Sequence, residues 1–361
     1  MTNRESASLA EKWIKPVAIK SCLKKLSLGF WVGSIQSLIT LPPEILSGQN
    51  LTDIEIISSK SRGSQMNPIS MTTSLHPVIK CVSLRRLRLT NVQISEEVLD
   101  EIFSVCKLLV DVMLSGCKGF RTIKVQNLHH LRKLRIDSGK QNGVNLEING
   151  VPNIRVFMFE AKILPLNLNS LGSVTELSLG GMIMDDAFMH MIKSKLPFLQ
   201  ILTLDMKLST LETFDFSCAS MKSLSLLSSP ITSVKVYAPK LKFFRFSGET
   251  MPSLLFPAAI DVLEQIKIHL SLMWRPMDDS FSLKMSEAFT LSSKCDVQID
   301  CIALPLDIDL DDLRRRVPFP AMNVQRLLVR IDSREEGLWE RSPFFDALFL
   351  ICHPDSGACS R

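Results

Sequence analysis

Leu109–Ile136 reads LVDVMLSGCKGFRTIKVQNLHHLRKLRI, and one spacing occurs in it twice. Leu109, Val112 and Leu114 occupy positions one, four and six of the first copy, with Cys117 at position nine. Leu131, Leu134 and Ile136 occupy the same three positions of the second. The first apolar residue turns the chain inward. The pair at four and six alternates like a strand, which puts both side chains on one face. Position nine is where an Asn or Cys satisfies backbone groups as the chain bends away.

Working outward, the same triplet recurs at Leu23, Leu26, Leu28; at Leu51, Ile54, Ile56; and at Leu84, Leu87, Leu89. Beyond the central pair come Ile154, Phe157, Phe159; Val174, Leu177, Leu179; Leu199, Leu202, Leu204; Met221, Leu224, Leu226; and Leu241, Phe244, Phe246. From position 23 to position 241 the nine intervals average about 24 residues, inside the span of a leucine-rich repeat. Two helical stripes fall between copies. Ser95 caps the first, with Glu96 and Glu97 in its opening turn and Leu99, Ile102, Phe103 and Cys106 on one face. Asp185 caps the second, which carries Phe188, Met191 and Ile192. Chance alternation would not hold this interval with helices interleaved. The expected fold is therefore α/β, a leucine-rich-repeat solenoid with a parallel sheet on its concave side and helices and irregular connectors on its convex side.

At either end the pattern changes. Residues 1–22 are expected to form an amino-terminal capping helix, since Leu9, Trp13 and Ile14 share a face before Pro16. The array itself is assigned to residues 23–250, interrupted by a polar segment, Ser58–Ser74, read as a mobile loop. Beyond Gly248 the regularity fades. Leu263–Leu270, Cys295–Ile302 and Val324–Ile331 read as strands, a helix carries Phe281, Met285 and Phe289, and Phe344–Cys352 reads as a buried helix. Residues 251–361 are expected to be a non-repeat α+β region that caps the solenoid.

Composition narrows the classes of function. Apolar residues make up 46% and charged residues 22%, and the net charge of +5 arises from 42 basic and 37 acidic residues. That mixture argues against nucleic acid as a partner. The longest uncharged run, Leu26–Pro43, is broken by Ser27, Gly29, Gly33, Ser34, Gln36, Ser37 and Thr40, so no membrane span is expected. The start, MTNRESASLAEKW, is polar, and the nine cysteines are an odd number, which together suggest reduced thiols in the cytosol or nucleus.

With these residues in view, the chain resembles the plant F-box/leucine-rich-repeat proteins that end in an FBD-type module. LSGCKGFRTIKVQNLHHLRKLRI in the array carries the resemblance, with VQRLLVRI and FFDALFLICHP near the end and EKWIKPVAIKSCLKKLSL at the start. The carboxy-terminal ICHP is the most specific of these matches. The resemblance implies an FBD-like cap and the role of substrate receptor in an SCF-type, cullin–RING ubiquitin ligase, in which an F-box docks on a small adaptor and the repeats hold the target. An F-box precedes the repeats in that family, and only 22 residues precede Leu23 here. LPPEIL at Leu41–Leu46 is similar to an F-box opening, but QNLTDIEI follows it and is repeat sequence. LPPEIL is thus read as a connector, and the adaptor is expected as a partner only if an F-box is supplied. The alternative is an F-box-less scaffold that binds a partner without ubiquitination.

No catalytic residues are expected: G-x-S-x-G, a Walker loop, H-E-x-x-H and C-x-x-C are all missing from the sequence. No metal or cofactor is expected either. Cys295 and Cys301 share a strand face, which suits packing. Cys352, His353 and Cys359 fall short of a four-ligand zinc spacing. His129 and His130 sit in a turn, and Arg314, Arg315 and Arg316 read as the solvated face of a short helix. The functional surface is sought instead at positions three and five of each copy, which point away from the core. The protein-binding residues expected there are Arg86, Arg88, Asp111, Met113, Lys133, Arg135, Met158, Glu176, Phe243 and Arg245. Arg86 and Arg88 on one strand, and Lys133 and Arg135 two strands on, are read as basic bands flanking Asp111, facing a target protein with matching acidic bands.

Overall fold

The computed structural model describes residues 23–32, 43–60, 69–70, 79–138, 143–161, 166–258, 263–272, 280–301, 308–331, 342–354 and 356–360. The expected capping helix in residues 1–22 lies outside them. The chain divides into two compact units, Met1–Met182 and Ile183–Arg361.

In the first unit the repeat strands are β1 (Lys25–Val32), β2 (Asp53–Lys60), β4 (Arg86–Thr90), β6 (Asp111–Ser115), β8 (Lys133–Asp137), β10 (Val156–Glu160) and β11 (Glu176–Gly180). Their register follows the spacing read from the sequence. Leu26 pairs with Ile54, Ile54 with Leu87, Leu87 with Val112, Val112 with Leu134, Leu134 with Phe157 and Phe157 with Leu177, all parallel. Parallel ladders arise because every repeat enters its strand in the same direction after a crossover. Stacking equal positions makes two continuous apolar rows, and from β2 onward the residues at positions four and six are buried.

Each junction is built alike. The position-two carbonyl of one repeat accepts two N–H groups from the next: Lys24 from Thr52 and Asp53, Arg85 from Val110 and Asp111, Val110 from Arg132 and Lys133. Before each first leucine a tight turn closes with an N–H donated to the residue three back, as from Leu84 to Cys81, Leu109 to Cys106 and Met221 to Cys218. That turn position faces inward and suits a small apolar side chain, which accounts for three of the nine cysteines.

Helix α1 (Glu96–Val105) links β4 to β6, and Ser95 caps it by accepting from the Val98 N–H at 3.4 Å. Between β1 and β2, and between β10 and β11, the return path holds a 3-10 turn, and elsewhere in this unit it carries a short strand. β7 (Thr122–Gln126) pairs with β9 (Asn145–Asn149), and β3 (Ile69–Ser70) with β5 (Val92–Gln93), in small parallel ribbons apart from the main sheet. The reading of Ser58–Ser74 as a loop needs correction on this point. Residues 58–60 finish β2, where Ser58 is buried and its carbonyl accepts from Asn91 at 2.7 Å. Ile69–Ser70 is β3, and the remainder of the segment lies outside the described residues.

The second unit repeats the scheme with β12 (Ile201–Asp205), β14 (Ser223–Ser229), β16 (Phe243–Gly248), β18 (Gln265–Leu272), β19 (Lys294–Cys301), β20 (Val324–Ile331) and β21 (Ser356–Ser360), again parallel. A third ribbon joins β13 (Thr213–Ser217), β15 (Ser233–Tyr237) and β17 (Ser253–Leu255). Helix α2 (Asp186–Lys195) is capped by Asp185, which accepts from the Phe188 N–H at 2.8 Å. Its buried pair is Met189 and Ile192, while Phe188 and Met191 are half-buried. Helices α3 (Phe281–Thr290), α4 (Leu310–Arg316) and α5 (Phe344–Ile351) connect the last four strands. The regular spacing does not end at Phe246. Leu263, Ile266 and Ile268 form a further copy, with the Lys242 carbonyl accepting from Glu264 and Gln265 as in every earlier junction. The ladder then continues through β19 to β21 across the boundary expected at residue 250.

Among the described residues no helix is long and apolar enough to cross a membrane. Seven of the described cysteines form no disulfide, and all but Cys218 are buried. Burial pushes the thiols of Cys81, Cys117 and Cys352 up to about 11 and those of Cys106 and Cys295 up to about 12. The thiolate is the reactive form, so alkylation of the native chain, mapped by mass spectrometry, should label Cys218 ahead of Cys81, Cys106, Cys117, Cys295, Cys301 and Cys352. Early labelling of Cys117 would mean that the repeat junction is open.

Candidate protein-interaction surface

In both units positions three and five lie on the strand face turned away from the core. Parallel register converts them into lateral rows. In the first unit one row runs Lys25, Asp53, Arg86, Asp111, Lys133, Val156, Glu176 and the other Ser27, Glu55, Arg88, Met113, Arg135, Met158, Ser178. The structure thus assembles eight of the ten expected residues, Arg86 through Glu176, on one continuous face.

It also pairs off part of the charge. Arg86 bonds to Asp53, while Arg88 reaches Asp111 at 2.9 Å and Glu55 at 3.9 Å. Burial pushes the Asp53 carboxyl up, but hydrogen bonds from Arg86 and Thr52 outweigh it and hold that carboxyl below its ordinary value. Asp111 is only 6% exposed, and its Oδ1 has no hydrogen-bond partner among the described residues. Arg86 and Arg88 are therefore not a free basic band, as the sequence led one to expect. Their charge is answered by neighbouring strands, because acid and base alternate in the direction in which strands pair. Lys133 and Arg135 differ. Neither makes an ion pair with a described residue, and Arg135 lies between Met113 and Met158 in its row.

Phe243 and Arg245, the other two expected residues, stand on β16 in the second unit. Phe243 is 44% exposed and shares a row with Ser223 and Ile201. Arg245 follows Thr203 and Ser225 in a row that continues through Lys267, Asp296 and Arg326. These four, with His269, Gln298 and Leu328 among the other lining residues, surround a groove of about 250 Å³. Within it Lys267 lies 3.5 Å from Asp296, which also accepts from Gln265 at 2.9 Å. His269 is 2.8 Å from Asp300, and Asp300 further takes Gln298 at 3.1 Å and Arg330 at 3.8 Å. Arg245 and Arg326 make no ion pair with a described residue.

The sequence reading missed Lys267, His269, Asp296, Gln298 and Arg326. Their signal was present: all but Arg326 stand between buried residues, and all five lie on stretches already read as strands, so the outward positions could have been listed there as in the array. Among the described residues no three His, Cys, Asp or Glu side chains gather as metal ligands. Arg314, Arg315 and Arg316 are solvated on α4 and pair with Asp311 and Asp312 of the same helix. His129 and His130 are exposed in the turn before β8.

An extended strand face of this kind, polar and charged with isolated apolar side chains, is a surface for another protein, and parallel repeat arrays serve as protein-interaction modules. No curated protein matches the sequence. A family model does, over residues 1–229, and by that match the chain belongs to the leucine-rich-repeat family described as "At1g61320/AtMIF1, LRR domain".

Proposed function

We propose that the chain is the target-recognition part of a cullin–RING ubiquitin ligase, with residues 251–361 as an FBD-like module and the exposed strand faces holding the protein to be modified. The observation that carries this reading is the lateral register of outward side chains. Arg86, Arg88, Asp111, Met113, Lys133, Arg135, Met158 and Glu176 make one such surface, and Phe243 with Arg245 belongs to another. The resemblance of LSGCKGF, VQRLLVRI and FFDALFLICHP to F-box/leucine-rich-repeat proteins supports the ligase assignment. A second reading, a scaffold that binds without ubiquitination, draws on the turn Pro43–Ser47 between β1 and β2, where Ile45 and Leu46 are buried in the array. That placement supports reading LPPEIL as a connector.

Affinity purification from plant cells separates the two. The chain alone should carry a target protein and leave the cullin adaptor behind, while a version with an F-box fused ahead of Met1 should carry both and ubiquitinate the target. Target binding without ubiquitination by the fused version would leave the scaffold reading. Adaptor bound by the chain alone would overturn the connector assignment of LPPEIL. Lys133→Glu with Arg135→Glu should slow target association, since rim charges act mainly on the association rate.

A further inference from the structure

We infer that the groove across β16, β18, β19 and β20 binds an extended acidic segment of a protein, with two carboxylates held by Arg245 and Arg326. This rests on the reading of the strand face as a protein-binding surface, and names the chemistry of the partner at a place where the sequence listed only Arg245.

The charge balance points to an anion. Three cations, Arg245, Lys267 and Arg326, line the groove against one acid, Asp296. The pairing says where the excess lies. Lys267 is taken up by Asp296, and His269 by Asp300. The two cations of the groove without an ion pair among the described residues are thus those at its two ends. A charge held in a shallow groove has less water around it than one on a flat surface, so a carboxylate arriving there gains more from it. Arg86 and Arg88 of the first unit, by contrast, are already answered by Asp53, Glu55 and Asp111.

Spacing narrows the ligand. Arg245, Lys267, Asp296 and Arg326 are successive lateral neighbours, so the end arginines are three strand spacings apart, about 14 Å between backbones. An extended chain advances about 3.3 Å per residue, so acids four residues apart span about 13 Å and alternate onto the same side. Acids two apart span only about 7 Å and reach one arginine. A single small anion fills one end. Phe243, two residues before Arg245 on the same face, offers an apolar contact beside that end of the groove.

Fluorescence anisotropy on the full chain tests this. The probe is a labelled extended peptide with two glutamates four residues apart in a Ser/Thr/Val background. It should bind, and Arg245→Glu with Arg326→Glu should weaken it roughly ten-fold or more, with the milder Arg245→Gln and Arg326→Gln pair intermediate. Both arginines are solvent-exposed, so circular dichroism should show the fold retained. Arg314→Gln with Arg315→Gln, exposed on α4 and outside both strand faces, should leave peptide binding unchanged. Equal affinity for a peptide with glutamates two apart would overturn the spacing. Displacement by inorganic phosphate at equal concentration would make the groove a small-anion site and overturn the peptide assignment. No binding by the peptide while the chain still carries a target from cells would sink the groove alone. Peptide binding with no target recovered by the F-box fusion would sink the ligase reading and leave the groove standing.

Discussion

Leu114→Ala should lower the stability of the first unit by about 2–5 kcal/mol, the loss expected for truncating a packed core leucine. Leu114 is 1% exposed and stands in register with Leu89 on one side and Ile136 on the other. Its side chain therefore fills space at two junctions at once. In a repeat array, stability is carried by such nearest-neighbour contacts, so the vacancy weakens both neighbours. Lys133→Ala is the control. It lies next in the ladder but faces solvent, and should cost less than about 0.5 kcal/mol. Urea titrations of the two variants followed by circular dichroism decide the matter, and equal midpoints would show that the strand faces are inverted.

Gly119→Ala should destabilise by about 1–3 kcal/mol, for a reason that has nothing to do with burial of apolar surface. Gly119 adopts φ +102°, outside the region open to a residue with a Cβ, and a Cβ there would stand 2.6 Å from the Ile94 carbonyl oxygen. That oxygen belongs to the backbone and cannot swing aside. The two chains are tied at this point, with the Ile94 N–H donating to the Lys118 carbonyl at 2.7 Å and the Lys118 N–H to that of Val92 at 2.9 Å. Relief of the clash must loosen those bonds. Gly29→Ala, where no atom lies within 4 Å of the new methyl group, should be neutral to within about 0.5 kcal/mol. A Gly119→Ala chain with the same thermal midpoint as Gly29→Ala would remove the close approach from the account of this turn.

The SGCKGF motif shows how far local reading reaches. Cys117 at position nine does what its place in the repeat implies, donating toward the Leu89 carbonyl at 3.3 Å as the chain leaves the strand. The glycines on either side of it, Gly116 and Gly119, entered only as part of a resemblance. Their necessity is visible only once Asn91 and Ile94 of the preceding repeat are seen packed against them. The ribbons were illegible for a similar reason. TIKVQ, TFDFS and SVKVY alternate like the repeat strands, and alternation states that a strand has a buried face without stating which sheet it joins.

By itself the sequence determined the repeat, its strands, their register and both helix caps, because each depends on the order of residues within one turn of the array. The core rows follow from equal positions stacking, which needs no knowledge beyond a constant interval. The tertiary structure alone decided which charges remain available. Arg86, Arg88, Lys133, Arg245 and Arg326 look alike in the sequence, each a base beside apolar neighbours. An ion pair on this face forms between residues of adjacent strands some 20 to 35 positions apart, as Arg88 with Asp111 or Lys267 with Asp296. Connector lengths vary from repeat to repeat, so only the assembled ladder shows that the first two arginines are answered and that the two at the ends of the groove are not paired with any described acid.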